Sequence, residues 1–395
     1  MPDRKTGTFY VCHLAHEHDR TYTENLCEYL ERAGLPYGIV EFEAPGQRPE
    51  LRQCLDGSAS AVLGFNSQLD HCWLGDENFV VAAARKNLPV IHWLPDHPSA
   101  RWPDFTHATA ENSRFLVMSE FCKRYFERYC LPHARTGWVA AVGPNWRSRI
   151  DALSREAFLQ REVRCLIPLN LRRVGGTLAD AGERLHSLEP GLGEAVAEAT
   201  GHARLDLAGP LEAHLAAALE RRNRRLADRE FNFCFQIVEE ATQIWRRQRI
   251  FDIASRFPVL IQSDTVPAPA PETAATFSDD PWLCSMPATL ARMRSCRSVL
   301  SISYASDMLH DRTENGLNAG CAVIVEDTPI HRQLFADGRN ALFFRYDDDS
   351  LAQCLDLVCH RPEETYAIAQ AGFALRDDPA VRFRGFENIL RLADL

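Results

Sequence analysis

At 395 residues, with 46% hydrophobic and 25% charged residues, the chain has a globular composition and is too long for one ordinary core, so two domains are expected. Its formal net charge of −10 argues against a nucleic-acid footprint, and no apolar run of about 18 residues offers a membrane span. The opening MPDRKTGTFYVCHLAHEHD has no long apolar segment before a small-residue cleavage site, which argues against a secretory signal and for a cytoplasmic location.

The first 145 residues alternate short apolar runs with helical patterns. The runs are Phe9–Ala15, Tyr37–Phe42, Ala61–Phe65, Val90–Leu94, Phe115–Met118 and Gly137–Val142. Between them lie the amphipathic segments Tyr22–Ala33 and Phe121–Cys130, and a helix over Asn78–Asn87. Strands separated by helices predict βαβ units and a parallel sheet. Residues 144–162 read as a linker with a short helix, and Val163–Leu169 opens a second sheet. Leu178–Ile253 is mostly helical and longer than one crossover needs, which predicts an added helical subdomain. Its Arg-rich stretch Glu220–Arg229 reads as a solvated face. Strands return at Pro258–Gln262, Val299–Ser303, Ala322–Val325 and Ala341–Phe344, with a Pro/Ala loop at Val266–Thr276. Ser350–Val358, Glu363–Gly372 and Val381–Leu392 are read as the closing helices.

Thirteen cysteines, an odd number without a CxxC pair, read as reduced thiols that mostly fill cores. The lysines are Lys5, Lys86 and Lys123, so beyond residue 123 a cationic phosphate contact falls to Arg or His. The stretch from Ser306 to Phe344 is the most informative: a polar loop, a helix, a buried strand, a second helix and a short strand. A helix start has backbone N–H groups without intrahelical partners, and with Arg312 beside it this one is suited to a diphosphate. The simpler readings are that Arg312 pairs with Asp311 or Glu326, that Glu314 is a first-turn acid, that Gly320 is a helix C-cap and that Gly175-Gly176 is a turn.

In the amino-terminal half, His13–Asp19 and Pro95–Pro98 are read as loops following strands. Ligands of open parallel sheets sit beyond the carboxyl ends of the strands. His16, His18, Asp19, Asp96 and His97 are therefore the candidates for a general base, a role that imidazole and carboxylate suit. A metal cluster is not expected from the loop histidines, which have no Cys/His pair nearby.

The run His310–Ile324, followed by Asp337-Gly338-Arg339-Asn340 and the strand to Phe344, resembles the donor half of GT-B glycosyltransferases, in particular the CgeB-like and glycosyltransferase family 1-like group. That group carries an Arg, an acidic residue, a small-residue helix ending in Gly and a buried strand in this order. Val163–Leu169 with Asn170–Gly176 looks like the first strand and glycine-bearing loop of such a domain. Phe65-Asn66 and Pro89–Pro98 look like the attached acceptor domain.

The resemblance implies an α/β fold of two facing Rossmann-like domains with a helical insertion in the carboxyl-terminal half. Residues 1–150 would be the acceptor domain and 163–375 the nucleotide-sugar donor domain, with 178–253 inserted and 376–395 a helical tail. It further implies metal-independent transfer of a sugar from a nucleotide-diphosphate sugar to a glycan, protein or small-molecule acceptor in the interdomain cleft. The donor is a substrate and no cofactor is expected. Arg172, Gly175, Gly176, His310, Arg312, Thr313, Glu314 and Asn315 would bind it. Asn315 stands where many retaining members carry Glu, five residues before the Gly at the helix end, and Glu314 comes one residue earlier; the stereochemistry stays open. The helical segment is read as shaping acceptor choice or as a homodimer contact. The alternatives are a sugar-nucleotide epimerase of the same fold, and a TIR-like signalling or NAD-cleaving module resembling Phe9–His16 and Asn66–Trp73 with Glu77. Continuation of the sheet past Trp93 suits the acceptor domain better.

Overall fold

The computed structural model describes residues 7–140, 143–169, 188–263, 274–278, 286–303 and 307–395. The chain divides into two units, Met1–Gly143 with Phe383–Leu395, and Pro144–Arg382.

The first unit is built on strands β1 (Thr8–Leu14), β2 (Tyr37–Phe42), β3 (Ala59–Phe65), β4 (Val90–Leu94), β5 (Ser113–Val117) and β6 (Arg135–Trp138). They form one parallel sheet in the order β2-β1-β3-β4-β5-β6. Every residue of β4 is buried, which is why it reads as a continuous apolar run rather than an alternating one. Its one polar member, His92, stacks on Phe115 at 5.4 Å, and burial pushes its pKa down to about 4. Helices α1 (Glu17–Arg32), α2 (Phe79–Arg85) and α3 (Glu120–Tyr129) alternate with the strands. Helix α1 begins five residues before the Tyr22–Ala33 expectation, so most of the segment read as the His13–Asp19 loop is the end of β1 and the first turn of α1. That turn, EHD, is polar and carries no apolar periodicity by which a sequence pattern would detect it.

The last helix, Glu387–Ala393, belongs to this unit. The Asn388 amide donates to the Trp138 carbonyl at 2.8 Å, and Asp394 pairs with Arg114 at 2.6 Å and Arg135 at 2.7 Å. Burial alone would raise the Asp394 carboxyl, but the two guanidiniums outweigh it and hold it at about 2.

The second unit has strands β7 (Val163–Pro168), β8 (Leu260–Gln262), β9 (Thr276–Ser278), β10 (Cys296–Ser301), β11 (Ala322–Glu326) and β12 (Leu342–Phe344). Their order is β9-β8-β7-β10-β11-β12, again all parallel. Between β7 and β8 come helices α4 (Pro190–Ala203), α5 (Leu211–Arg221) and the 27-residue α6 (Asp228–Ala254). Helices α7 (Met286–Met293), α8 (Asp311–Asn318), α9 (Pro329–Leu334), α10 (Ser350–His360) and α11 (Pro362–Phe373) connect and cover the remaining strands. The short strand β9 overlaps the end of the segment read as a Pro/Ala loop, of which residues 266–273 lie outside the described residues.

Helix α8 sits close against its sheet because of Gly316. A Cβ there would lie 2.5 Å from Val299 Cγ1 and 2.8 Å from Val323 Cγ1, on β10 and β11. Branched valines in a packed sheet have little freedom to retreat. Gly316→Val is therefore expected to destabilise the protein by about 1–3 kcal/mol despite the better helix propensity of the new residue. Urea unfolding checks this, and an unchanged midpoint would contradict the packing described.

Candidate functional site

In the second unit the connections from β7 go both ways, to β8 on one side and on to β10 on the other. The carboxyl ends of β7 and β10 thus form a topological switch point, the place where ligands of open α/β sheets lodge. The segment after β7 holds Arg172, Gly175 and Gly176, which lie outside the described residues. The segment after β10 leads into α8. His310 caps that helix in an extended conformation (φ −75°, ψ 142°), its Nδ1 accepting the Arg312 backbone N–H at 3.2 Å. The same nitrogen lies against an Asp311 carboxylate oxygen.

The five candidates His310, Arg312, Thr313, Glu314 and Asn315 come together on one turn and a half of backbone but face different surroundings. Arg312 is half-buried, and its guanidinium finds no carboxylate partner among the described residues. Thr313 is buried and donates to Ser301 Oγ at the end of β10, at 3.0 Å. Glu314 is buried. Asn315 is committed within the unit: its Oδ1 accepts the Asn145 N–H at 2.7 Å and the Ser148 hydroxyl at 2.9 Å. One turn on, the Asn318 amide donates to the same Ser148 Oγ at 3.2 Å. The other end of α8 is closed. Gly320, at φ +66°, completes a Schellman turn in which Cys321 N–H bonds the Gly316 carbonyl at 2.8 Å. Arg161 donates to the carbonyls of Ala319 and Gly320, both at 2.8 Å, placing a cation at the negative end of the helix dipole. The amino terminus is left as the end that can meet an anion.

A residue named in the sequence only as a surface partner for Arg312 proves to be interior. Glu326 ends β11 with 1% exposure. Its Oε2 accepts the Ser303 N–H at 2.7 Å, and its Oε1 accepts the Tyr346 hydroxyl at 2.8 Å and lies 3.7 Å from Arg246. Ser303 lies two residues past the end of β10, and its hydroxyl has no hydrogen-bond partner among the described residues. Arg246, on α6, also donates to the Ala203 and Asp206 carbonyls at 2.9 and 2.8 Å. Burial raises the Glu326 carboxyl, against the lowering pull of Arg246 and its hydrogen bonds. The only sequence signal for it is an acid ending the apolar run AVIV.

In the first unit the switch point lies between β1 and β3. Asp19 bridges it: its Oδ2 accepts the Leu14 N–H at 3.2 Å and the Gln68 side-chain amide at 2.7 Å. His16 is exposed and precedes α1 without a side-chain cap bond, and His18 belongs to the first turn of α1. Asp96 and His97 follow β4, beyond β3 in the sheet. Asp96 pairs with Arg101 at 2.7 Å. His97 caps the short helix Pro98–Arg101 through Nδ1, at 3.2 Å from the Ser99 N–H, and its ring meets Tyr125 edge-on at 4.6 Å. Burial pushes its pKa down to about 3, so the ring is neutral at physiological pH.

Residues 284–378, which contain α8 and its flanking strands, match a family model described as glycosyl transferase-like. No curated protein matches the sequence. Among solved structures, the DNA-modifying enzyme β-glucosyltransferase, studied with and without uridine diphosphoglucose, is similar over 98% of this chain and 100% of its own at 9% identity and a TM-score of 0.51. Anabaena HepE in complex with UDP and glucose is similar at 12% identity, 98% coverage of both chains and a TM-score of 0.45. The lipopolysaccharide glycosyltransferase WaaG is similar at 10% identity, 97% and 99% coverage and a TM-score of 0.46. The first of these likenesses is one of fold, and the GT-B architecture of two Rossmann-like domains is the one this chain adopts. Among the described residues no helix is long and apolar enough to cross a membrane.

The interior position of Glu326 has a pH signature. A carboxyl raised by folding keeps its proton where the unfolded chain has lost it, so its contribution is full below the ordinary value of 4.5 and is lost as pH rises through the raised one. Glu326→Gln removes this titration while Arg246 keeps its carbonyl acceptors. The stability difference between wild type and Glu326→Gln, measured by urea unfolding from pH 4.5 upward, should shift in favour of the variant as pH rises; parallel profiles would refute the assignment.

Proposed function

We propose that the protein is a glycosyltransferase that takes a sugar from a nucleoside-diphosphate sugar held on its second unit and passes it to an acceptor engaged by its first. The observation that carries this reading is the coincidence of the glycosyl transferase-like match with α8, whose amino terminus lies at the switch point and whose Arg312 is not consumed by a carboxylate among the described residues. Departure of a nucleoside diphosphate builds negative charge on its oxygens, and fixed donors in a partly dehydrated site stabilise that charge most strongly in the transition state. Arg312 and the start of α8 near Thr313 supply such donors here, with Arg172 and the Gly175-Gly176 backbone assigned to the same diphosphate. In this reading they carry the positive charge, and transfer is expected without an added metal ion.

Since the Asn315 oxygen already holds Asn145 and Ser148, Glu314 is the residue proposed to accept donor hydroxyls, with His310 ordering the turn. On the acceptor side an inverting reaction needs a base for the attacking hydroxyl. His16 is favoured because its exposed ring spends nothing on capping α1, with His18 and Asp19 on the same turn. Asp96 and His97 are assigned to shaping the acceptor surface. The narrower CgeB-like kinship is part of this proposal and rests on the spacing from His310 to Phe344. The UDP-glucose of the β-glucosyltransferase makes UDP the first nucleotide to try.

The test is thermal stability against UDP, GDP, dTDP, CMP, ADP and NAD. One nucleoside diphosphate should raise the melting temperature by mass action. Arg312→Ala should leave the ligand-free melting temperature unchanged and weaken that nucleotide at least about tenfold, the worth of a charge-assisted hydrogen bond. Undiminished nucleotide binding by Arg312→Ala, or no response of the wild type to any nucleotide, would overturn the donor-site assignment.

A further inference from the structure

At the opposite, amino-terminal end of the second unit's sheet lies an open cleft of about 580 Å³. Its lining includes Arg161, Arg164, Arg297 and His360, with Glu162 its sole carboxylate. In a chain of net charge −10, such an excess of cations in one concavity needs a physical account.

Arg164 and Arg297 sit on β7 and β10. The register pairs Val163 with Cys296 and Cys165 with Ser298, so the two arginines are direct cross-strand neighbours with side chains on the same face. Like charges in that relation repel, and a sheet gains nothing from the pairing unless something negative lies between them. Among the described residues no protein group supplies it. Arg164 has no carboxylate partner among the described residues. Arg297 donates one bond, to the Leu159 carbonyl at 2.7 Å, while its Nε is buried without a partner among them. Arg161 spends its donors on the carbonyls of Cys296, Ala319 and Gly320, and no carboxylate among the described residues cancels its charge. Burial, and after it the neighbouring Arg164, lower the Arg297 pKa. Asp356 lies 4.0 Å from His360 and forms no ion pair with Arg164 or Arg297.

We propose that this cleft is a second anion site, in which Arg164 and Arg297 together bind the phosphate group of a small phosphorylated molecule. Paired guanidiniums present planar forks that match phosphate oxygens. The volume exceeds that of a bare ion and falls in the range of sites that hold small molecules. The site is separate from α8's amino terminus and does not depend on the transferase reading.

The experiment measures binding of inorganic pyrophosphate to the full-length protein by calorimetry, for wild type, Arg164→Gln and Arg312→Ala. The wild type should bind pyrophosphate, and Arg164→Gln should lose a site that Arg312→Ala keeps, with affinity there falling about tenfold or more. Arg164→Gln should also melt higher than wild type without ligand, because the repulsion is relieved. Arg164 makes no described side-chain contact whose loss would unfold the protein. Co-sedimentation with phosphatidylcholine vesicles, with and without phosphatidate, separates the two sources of the phosphate. Capture on phosphatidate that Arg164→Gln abolishes identifies a lipid headgroup, whereas pyrophosphate binding without capture identifies a soluble phosphate ester. Pyrophosphate binding by Arg164→Gln equal to that of the wild type, or no binding at all outside the Arg312-dependent site, would overturn the proposal.

Discussion

A carboxylate sealed inside the second unit has to be satisfied on both oxygens, and Glu326 meets that requirement with groups drawn from three distant parts of the chain. Ser303 brings the segment that follows β10, Tyr346 the segment that follows β12, and Arg246 the long helix α6. Because Arg246 also binds the carbonyls at the end of α4, the inserted helices are tied to the same point. The insertion is thereby fixed at the carboxyl end of the sheet, beside the switch point. Hydrogen-bond satisfaction in a low-dielectric interior makes this arrangement specific, since a slipped Ser303 or Arg246 would leave a buried charge exposed to nothing.

Helix α8 depends on that frame and has two ends with opposite electrostatic character. Gly316 lets it lie close to β10 and β11, Asn315 and Asn318 hold the 145–148 segment against it, and Arg161 closes its carboxyl end. Its amino end carries the His310 cap and an Arg312 that no carboxylate among the described residues engages. Arg161 belongs at once to the closed end of α8 and to the basic cleft formed by β7 and β10, so the two proposed anion sites flank a single rigid element.

Much of this was legible in the primary structure. The apolar runs of both sheets were visible because parallel strands covered on both faces are apolar throughout, and the Ser306–Phe344 stretch declared its helix and strands by composition and by Gly320. The start of α1 was not, since a first turn of polar residues carries no periodicity. Neither was the commitment of Asn315, whose partners Asn145 and Ser148 are 170 and 167 residues away. The placement of the last helix with the first unit was hidden for the same reason: Asn388 reaches Trp138, and Asp394 reaches Arg114, only after the chain has passed through the whole second unit.

By itself the sequence determined the parallel α/β class, the presence of two units, the position of the helix that follows β10 and the absence of lysine from everything after residue 123. These follow from short-range pattern and composition, which act within a few turns or strands. Only tertiary structure decided which polar residues are spent on the fold and which remain for a ligand. Glu326 became a buried anchor and Asn315 a clamp, while Arg312, Arg164 and Arg297 kept charges that no carboxylate among the described residues cancels. Whether a charge is cancelled depends on what lies within a few ångströms of it, and that is set by packing between residues far apart in the chain.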